Sequence, residues 1–233
     1  IASQWPKLFQ VCDSIQQPRL LPAPGLHPCY VSQHEHAHLS ELERLLQARR
    51  DIVAVGEIGL DYFVPELKAP ELKAQQELFF REQLVLAMQY HKPVILHVRK
   101  AHAEVMAILT EMKFREGGIV HAYSGGIEEA KRYVRMGFRL GIGGALTYDQ
   151  SKRLRTVVSE MPLEALVLET DAPDMIPAPH RQAGERRSRN SPEFLPSVLA
   201  ALSELKKASP DELALIMRQQ SSLALHIPDS LSF

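Results

Sequence analysis

Short apolar runs alternate with longer amphipathic stretches along most of the chain. The runs at Leu20–Leu26, Ile52–Ile58, Val94–Val98, Ile119–Ala122, Arg139–Ile142 and Ala165–Leu168 are rich in Val, Ile and Leu. Their near-continuous apolar character is that of strands buried on both faces. Between them the period changes to that of helices. Leu39–Arg49 sets Leu39, Leu42, Leu45 and Leu46 on one face, and Glu71–Tyr90 spreads Leu72, Phe79, Leu84, Leu86 and Met88 among charged residues behind Pro70, a residue suited to a first helical turn. Ala103–Lys113, Ile127–Met136 and Ser151–Glu160 predict shorter helices, and Pro192–Lys207 and Asp211–His226 close the chain. Repeated βα units of this kind predict a parallel sheet. Six strands are fewer than the eight of a closed barrel, so either the sheet is open or a portion that belongs before Ile1 is absent.

Four of the runs lead into a residue that can bind a metal: Glu57, His97, His121 and Asp171. The C-terminal ends of parallel strands share one mouth, which is where βα-barrel enzymes keep their chemistry. A carboxylate such as Glu57, flanked by Gly56 and Gly59, can bridge two cations, although on its own it also reads as a turn or helix-start acid. A lone histidine at a strand end, as His97 and His121 each are, is more often a hydrogen-bonded core or rim residue than a ligand; it is the repetition that points to neutral imidazole ligands for zinc, manganese or a similar ion. Glu169 and Asp171, two residues apart, are expected to share a strand face, where a cation would offset their repulsion. Asp171 suits a metal ligand that also accepts a proton from the attacking water, and Glu169 suits an orienting partner.

Other polar residues carry less. His27 follows the first run and should face the same mouth, as a substrate contact or as simple packing. Asp61 and Arg99 stand four and two residues past ligand candidates; Arg99 can grip a phosphate or form a rim ion pair. His34-Glu35-His36-Ala37-His38 resembles a metal tract but lies in a polar stretch, and it reads as a solvated loop. Arg181, Arg186, Arg187 and Arg189 make a local basic patch on a late loop, read as a solvated face with nucleic-acid contact as the alternative.

Composition narrows the class. A hydrophobic fraction of 45% in 233 residues suits a single α/β domain spanning 1–233. A net charge of −1 advertises no general affinity for nucleic acid, so contact with phosphate must be local or through metal. Cys12 and Cys29 are too few for a disulfide framework. No apolar run reaches membrane-helix length, and no secretory leader pattern opens the chain. A cytoplasmic enzyme with no membrane partner and no obligate protein partner is expected.

The chain also resembles the TatD-like metal-dependent deoxyribonucleases. GLHP (25–28), VGEIGLDY (55–62), KPVILHVR (92–99), GIVHAYSG (118–125), GFRLGIGG (137–144), LVLETDAP (166–173) and NSPEFLPSVL (190–199) carry the resemblance. It implies a (βα)8 TIM-type barrel of the metal-dependent hydrolase type, here lacking its first strand–helix unit and most of the second strand. It also implies two divalent ions (Mg, Mn or Zn), with Glu57 bridging, His97 and His121 on one ion and Asp171 on the other. The implied activity is cleavage of DNA, or of a small phosphoester, by a metal-activated water. The family's opening His-x-His pair, which shares an ion with Asp171, does not precede a βα unit here. Two alternatives stand beside this reading: an amidohydrolase or lactonase acting on a small molecule with the same centre, and a catalytically impaired barrel kept as a binding protein.

Overall fold

A computed structural model of the chain describes residues 1–15, 17–182, 184 and 188–227. The chain forms two compact units, 1–118 with Leu225 to the end of the described chain, and 119–224. In the first, α1 (Trp5–Ser14) is followed by α2 (His36–Ala48), β1 (Val55–Asp61), α3 (Pro70–Gln89), β2 (Val94–Arg99) and α4 (His102–Glu111). β3 (Gly118–Val120) leads into the second unit, which continues with α5 (Ile127–Arg135), β4 (Phe138–Ile142), α6 (Lys152–Glu160), β5 (Leu166–Leu168), α7 (Leu195–Lys206) and α8 (Pro210–Ala224). Strand and helix alternate as the apolar periodicity requires. Most predicted element boundaries fall within three residues of those observed.

In the first unit β1 and β2 pair in parallel, Val55 opposite Val94 and Asp61 opposite Arg99, with the register shifting between Gly56 and Ile58. Glu57 is therefore the extra residue of a bulge, a device that re-aims a side chain away from the regular pleat. Ile58, Leu60, Leu84 and Leu96 are fully buried around this pair, with Leu42 and Phe80 among them in the core. β1 and β2 come so close at Gly59 (φ +138) that a Cβ there would overlap the carbonyl oxygen of His97.

The second unit has the same logic. β4 and β5 pair in parallel from Leu140 opposite Leu166 to Ile142 opposite Leu168. Tyr133, Phe138, Leu140, Val158, Leu166, Val198 and Leu202 fill the core, where the Tyr133 ring meets Tyr123 and Phe138 edge-on at centroid distances of 6.4 and 6.0 Å, a geometry that aromatic quadrupoles favour.

Two expectations fail. Leu20–Leu26 is not a strand. Pro22 and Pro24 have no N–H to donate, so only their carbonyls take part, accepting from Val53 and Gly56 at 3.1 Å each. The tract 34–38 is not a solvated loop. His36 opens α2, and Glu35 and His38 form a reciprocal capping pair. His34 is buried; its ring donates from Nε2 to the His27 carbonyl at 2.9 Å and lies edge-on to Phe79. Burial holds the His34 imidazole down at about 4, so it is neutral. Of the late basic patch, Arg186 and Arg187 lie outside the described residues.

Candidate metal centre

In the first unit the bulge at Glu57 and the end of β2 bring five of the expected residues together: His27, Glu57, Asp61, His97 and Arg99. Asp61 anchors the group. Its side chain has no exposure and accepts from His97 Nε2 at 2.9 Å. Its second oxygen accepts the N–H groups of Phe63 and Val64 at 2.9 and 3.0 Å. Burial alone would raise this carboxyl; the His97 bond and the two backbone donors outweigh it and hold Asp61 well below the usual carboxylate range, as bonds to the charged form do. Burial lowers the His97 imidazole, with Asp61 opposing.

A carboxylate only accepts, so the proton of His97 sits on Nε2. Its other nitrogen, Nδ1, then presents a lone pair to Glu57 Oε2 at 3.9 Å. His27 reaches the same oxygen differently. Its Nδ1 accepts from the Cys29 N–H at 3.1 Å, which leaves Nε2–H directed at Glu57 Oε2 at 3.4 Å. The two rings pack with centroids 4.3 Å apart. Arg99 lies over the Phe63 ring at 4.3 Å, with one guanidinium nitrogen 3.6 Å from Asp61, and it is half-exposed.

The second unit repeats the device. His121, one residue past β3, has its Nδ1 3.0 Å from Glu169 Oε2. The other Glu169 oxygen accepts the Ala122 N–H at 2.6 Å. Nδ1 thus donates to Glu169, and Nε2 is directed at Asp171 Oδ1 at 3.4 Å. The expected shared strand face of Glu169 and Asp171 is not what places them. β5 ends at Leu168 and Asp171 has a left-handed backbone (φ 57), so the turn swings Asp171 to the far nitrogen of the ring that Glu169 already holds. At Gly141 a Cβ would overlap Glu169 Oε2, so the glycine leaves room for that carboxylate.

Each unit thus ties one nitrogen of an imidazole to a carboxylate and directs the other at a second carboxylate oxygen. An imidazole whose second nitrogen is tied to a carboxylate is the usual form of a metal-binding histidine. The donor set fits a divalent metal. A second group, one ring nitrogen each of His27 and His97 with the Cys29 sulfur, also has ligand atoms within 4.8 Å of one another. Here, however, burial and then Asp61 push the Cys29 thiol up to about 12, and the thiol donates to Asp61 at 3.5 Å.

Several residues that hold these groups were not singled out from the sequence. Gln76 accepts the Asp61 N–H at 2.8 Å, and Gln83 accepts the Leu26 N–H at 2.6 Å; both are buried on α3. Asn190, also buried, donates to the Thr170 carbonyl at 2.7 Å and steadies the turn that carries Asp171. The available signal was polar residues at positions 76 and 83 on the apolar face of a helix.

Comparisons with known proteins identify the family. Residues 3–226 match the family described as TatD related DNase. The chain is 38% identical over 228 residues to a protein of Escherichia coli K12 named as the uncharacterized metal-dependent hydrolase YjjV, covering 97% of this chain and 84% of that one. It is 36% identical over 192 residues to the 3'-5' ssDNA/RNA exonuclease TatD of Pantoea vagans, covering 82% and 72%. The crystal structure of the E. coli YjjV protein superposes with a TM-score of 0.87 at 34% identity, over 97% of this chain and 84% of that one. These matches and the paired parallel strands define a metal-dependent hydrolase with a TatD-type α/β fold. The chain belongs to the TatD related DNase family. Among the described residues no helix is long and apolar enough to cross a membrane.

Proposed function

We propose that the chain is a divalent-metal-dependent phosphodiesterase that cleaves DNA, built on a (βα)8 barrel as a single hydrolase domain. Glu57, His97, His121 and Asp171 are its metal ligands, and the centre takes two ions of the Mg, Mn or Zn class. The observation that carries this reading is the pair of imidazoles, His97 and His121, each held by one carboxylate and directed at another. When bound, such ions polarise a phosphoryl oxygen and lower the pKa of water at the site.

The protein's own residues do the rest. Asp61 and Glu169 fix the tautomers of His97 and His121. His27 donates to Glu57 and aims its carboxylate. Glu57 and Asp171 are the catalytic carboxylates, with Asp171 taking the proton of the attacking water. Arg99, braced on Phe63, offers a guanidinium fork to a phosphate. The Pantoea relative's name supports nucleic acid as the substrate. The free thiols of Cys12 and Cys29 support a reducing, cytoplasmic setting.

The test is metal-reconstituted protein incubated with single-stranded oligonucleotides and with a panel of esters and amides. Shortening of the oligonucleotides that requires added metal and is lost in His97→Ala and His121→Ala is expected. Activity of either variant within a few-fold of wild type would overturn the site. Turnover of the esters or amides alone would make the protein an amidohydrolase or lactonase, and no turnover with less than one metal per chain would make it a binding protein.

A further inference from the structure

Directly after Asp171 the chain builds a pocket that the ligand set does not use. A cavity of about 430 Å3 lies in the second unit between the segment after β4 and the segment after β5, lined by Tyr148, Gln150, Ser151, Asp174, Met175 and Arg181 among others. The two segments are tied to each other. The Asp174 N–H donates to the Asp171 carbonyl at 2.8 Å. The Tyr148 hydroxyl donates to the Ile176 carbonyl at 2.9 Å, and the Ala178 N–H donates to Thr147 Oγ1 at 2.7 Å. The pocket is thus held three residues from a proposed metal ligand. Met175 is kept at its rim, 39% exposed, as an apolar surface.

The chemistry of the lining is that of a site for a flat, amine-bearing ring. Tyr148 and Met175 offer aromatic and thioether faces for stacking, and unpaired bases are held by stacking of this kind. Asp174 is an acceptor only. Gln150 offers one acceptor and two donors. Carboxylates accept from the amine of cytosine and glutamine pairs with adenine, whereas thymine has no amine to give. Arg181 adds a cation on the same wall for a neighbouring phosphate. We propose that this pocket receives the nucleobase of the substrate nucleotide beside the scissile phosphate, and that Asp174 and Gln150 make it favour adenine and cytosine over thymine. The inference rests on the DNA-hydrolase reading above.

The experiment compares kcat/KM of the metal-loaded enzyme on oligo(dA), oligo(dC) and oligo(dT) of equal length. Adenine and cytosine tracts should be favoured about fivefold, the low end expected for an open hydrogen-bonding site. Asp174→Ala and Gln150→Ala, made separately, should each move the ratio toward one, mainly through KM. Because the ratio is internal to each variant, a partial loss of folded protein does not mimic the effect. Equal rates on all three tracts in wild type, or an unchanged ratio in both variants, overturns the base site while leaving the nuclease reading intact. Failure to cut any tract with metal bound overturns the nuclease reading instead.

Discussion

Asp61 and His97 form the tightest polar contact of the first unit's ligand group: a fully buried carboxylate accepting from Nε2 at 2.9 Å. One carboxylate here does three jobs. It fixes the His97 tautomer, caps the turn at Phe63 and Val64, and faces Arg99. Asp61→Ala removes all three and leaves part-buried donors without this acceptor, at a cost of up to about 1–3 kcal/mol per group. The expected result is a fall in urea midpoint of the metal-free protein, together with weaker manganese binding by calorimetry. Unchanged stability would show that the carboxylate is not the anchor described.

Two glycines separate fold from site. At Gly59 the obstacle to a side chain is backbone, the His97 carbonyl, and φ is in the left-handed half of the map. Gly59→Ala should lower stability by several kcal/mol, of the order seen when strained backbone and overpacking combine. At Gly141 the obstacle is the end of the Glu169 side chain, which can swing away. Gly141→Ala should therefore leave the thermal midpoint nearly unchanged and weaken metal binding by displacing the carboxylate from His121. Equal losses of stability in the two variants would contradict this division.

His34 makes stability depend on pH. Its folded value is about 4 against an ordinary 6.5, because the ring is buried. Between those values the unfolded chain binds the proton more tightly, so stability is full above pH 6.5, falls as pH drops toward 4 and levels off below. The size is at most about 3 kcal/mol. Urea unfolding from pH 7.5 to 4 should show this slope, and His34→Gln should flatten it. A slope of unchanged size in the variant would assign the titration to other groups.

How much of this was legible depends on what each feature rests on. His97 and His121 follow runs of Val, Ile and Leu that read as buried strands and contain no proline interruption, so a ligand-type residue at their ends stands out. Glu57 was found for the same reason, but its bulge was not, because the extra residue is visible only against Ile95 and Leu96 across the ladder. Prolines 22 and 24 disguised an irregular segment as a strand, since apolarity records burial and not hydrogen bonding. His34 was misread because its neighbours are polar while its ring packs on Phe79, far away in sequence. Gln76, Gln83 and Asn190 were passed over because their buried partners are backbone groups, which leave no mark in side-chain periodicity.

Glu169→Gln tests the tautomer argument most directly. The amide has nearly the shape of the carboxylate, and its oxygen can keep the Ala122 N–H bond at the place of Oε1. Its nitrogen then faces His121 Nδ1, and an amide nitrogen only donates. His121 must answer by accepting at Nδ1, which moves its proton to Nε2, the nitrogen directed at Asp171. The lone pair needed for a metal is lost without any change in packing. Manganese affinity should fall about 10–100-fold, as when an orienting partner is removed from a metal-binding histidine, while the thermal midpoint of the metal-free protein stays close to wild type. Nitrogen NMR of the His121 ring should show the proton on Nδ1 in the wild type and on Nε2 in the variant. If the proton stays on Nδ1 and affinity still falls, Glu169 acts through charge and not through the tautomer; if affinity holds, His121 is not a ligand.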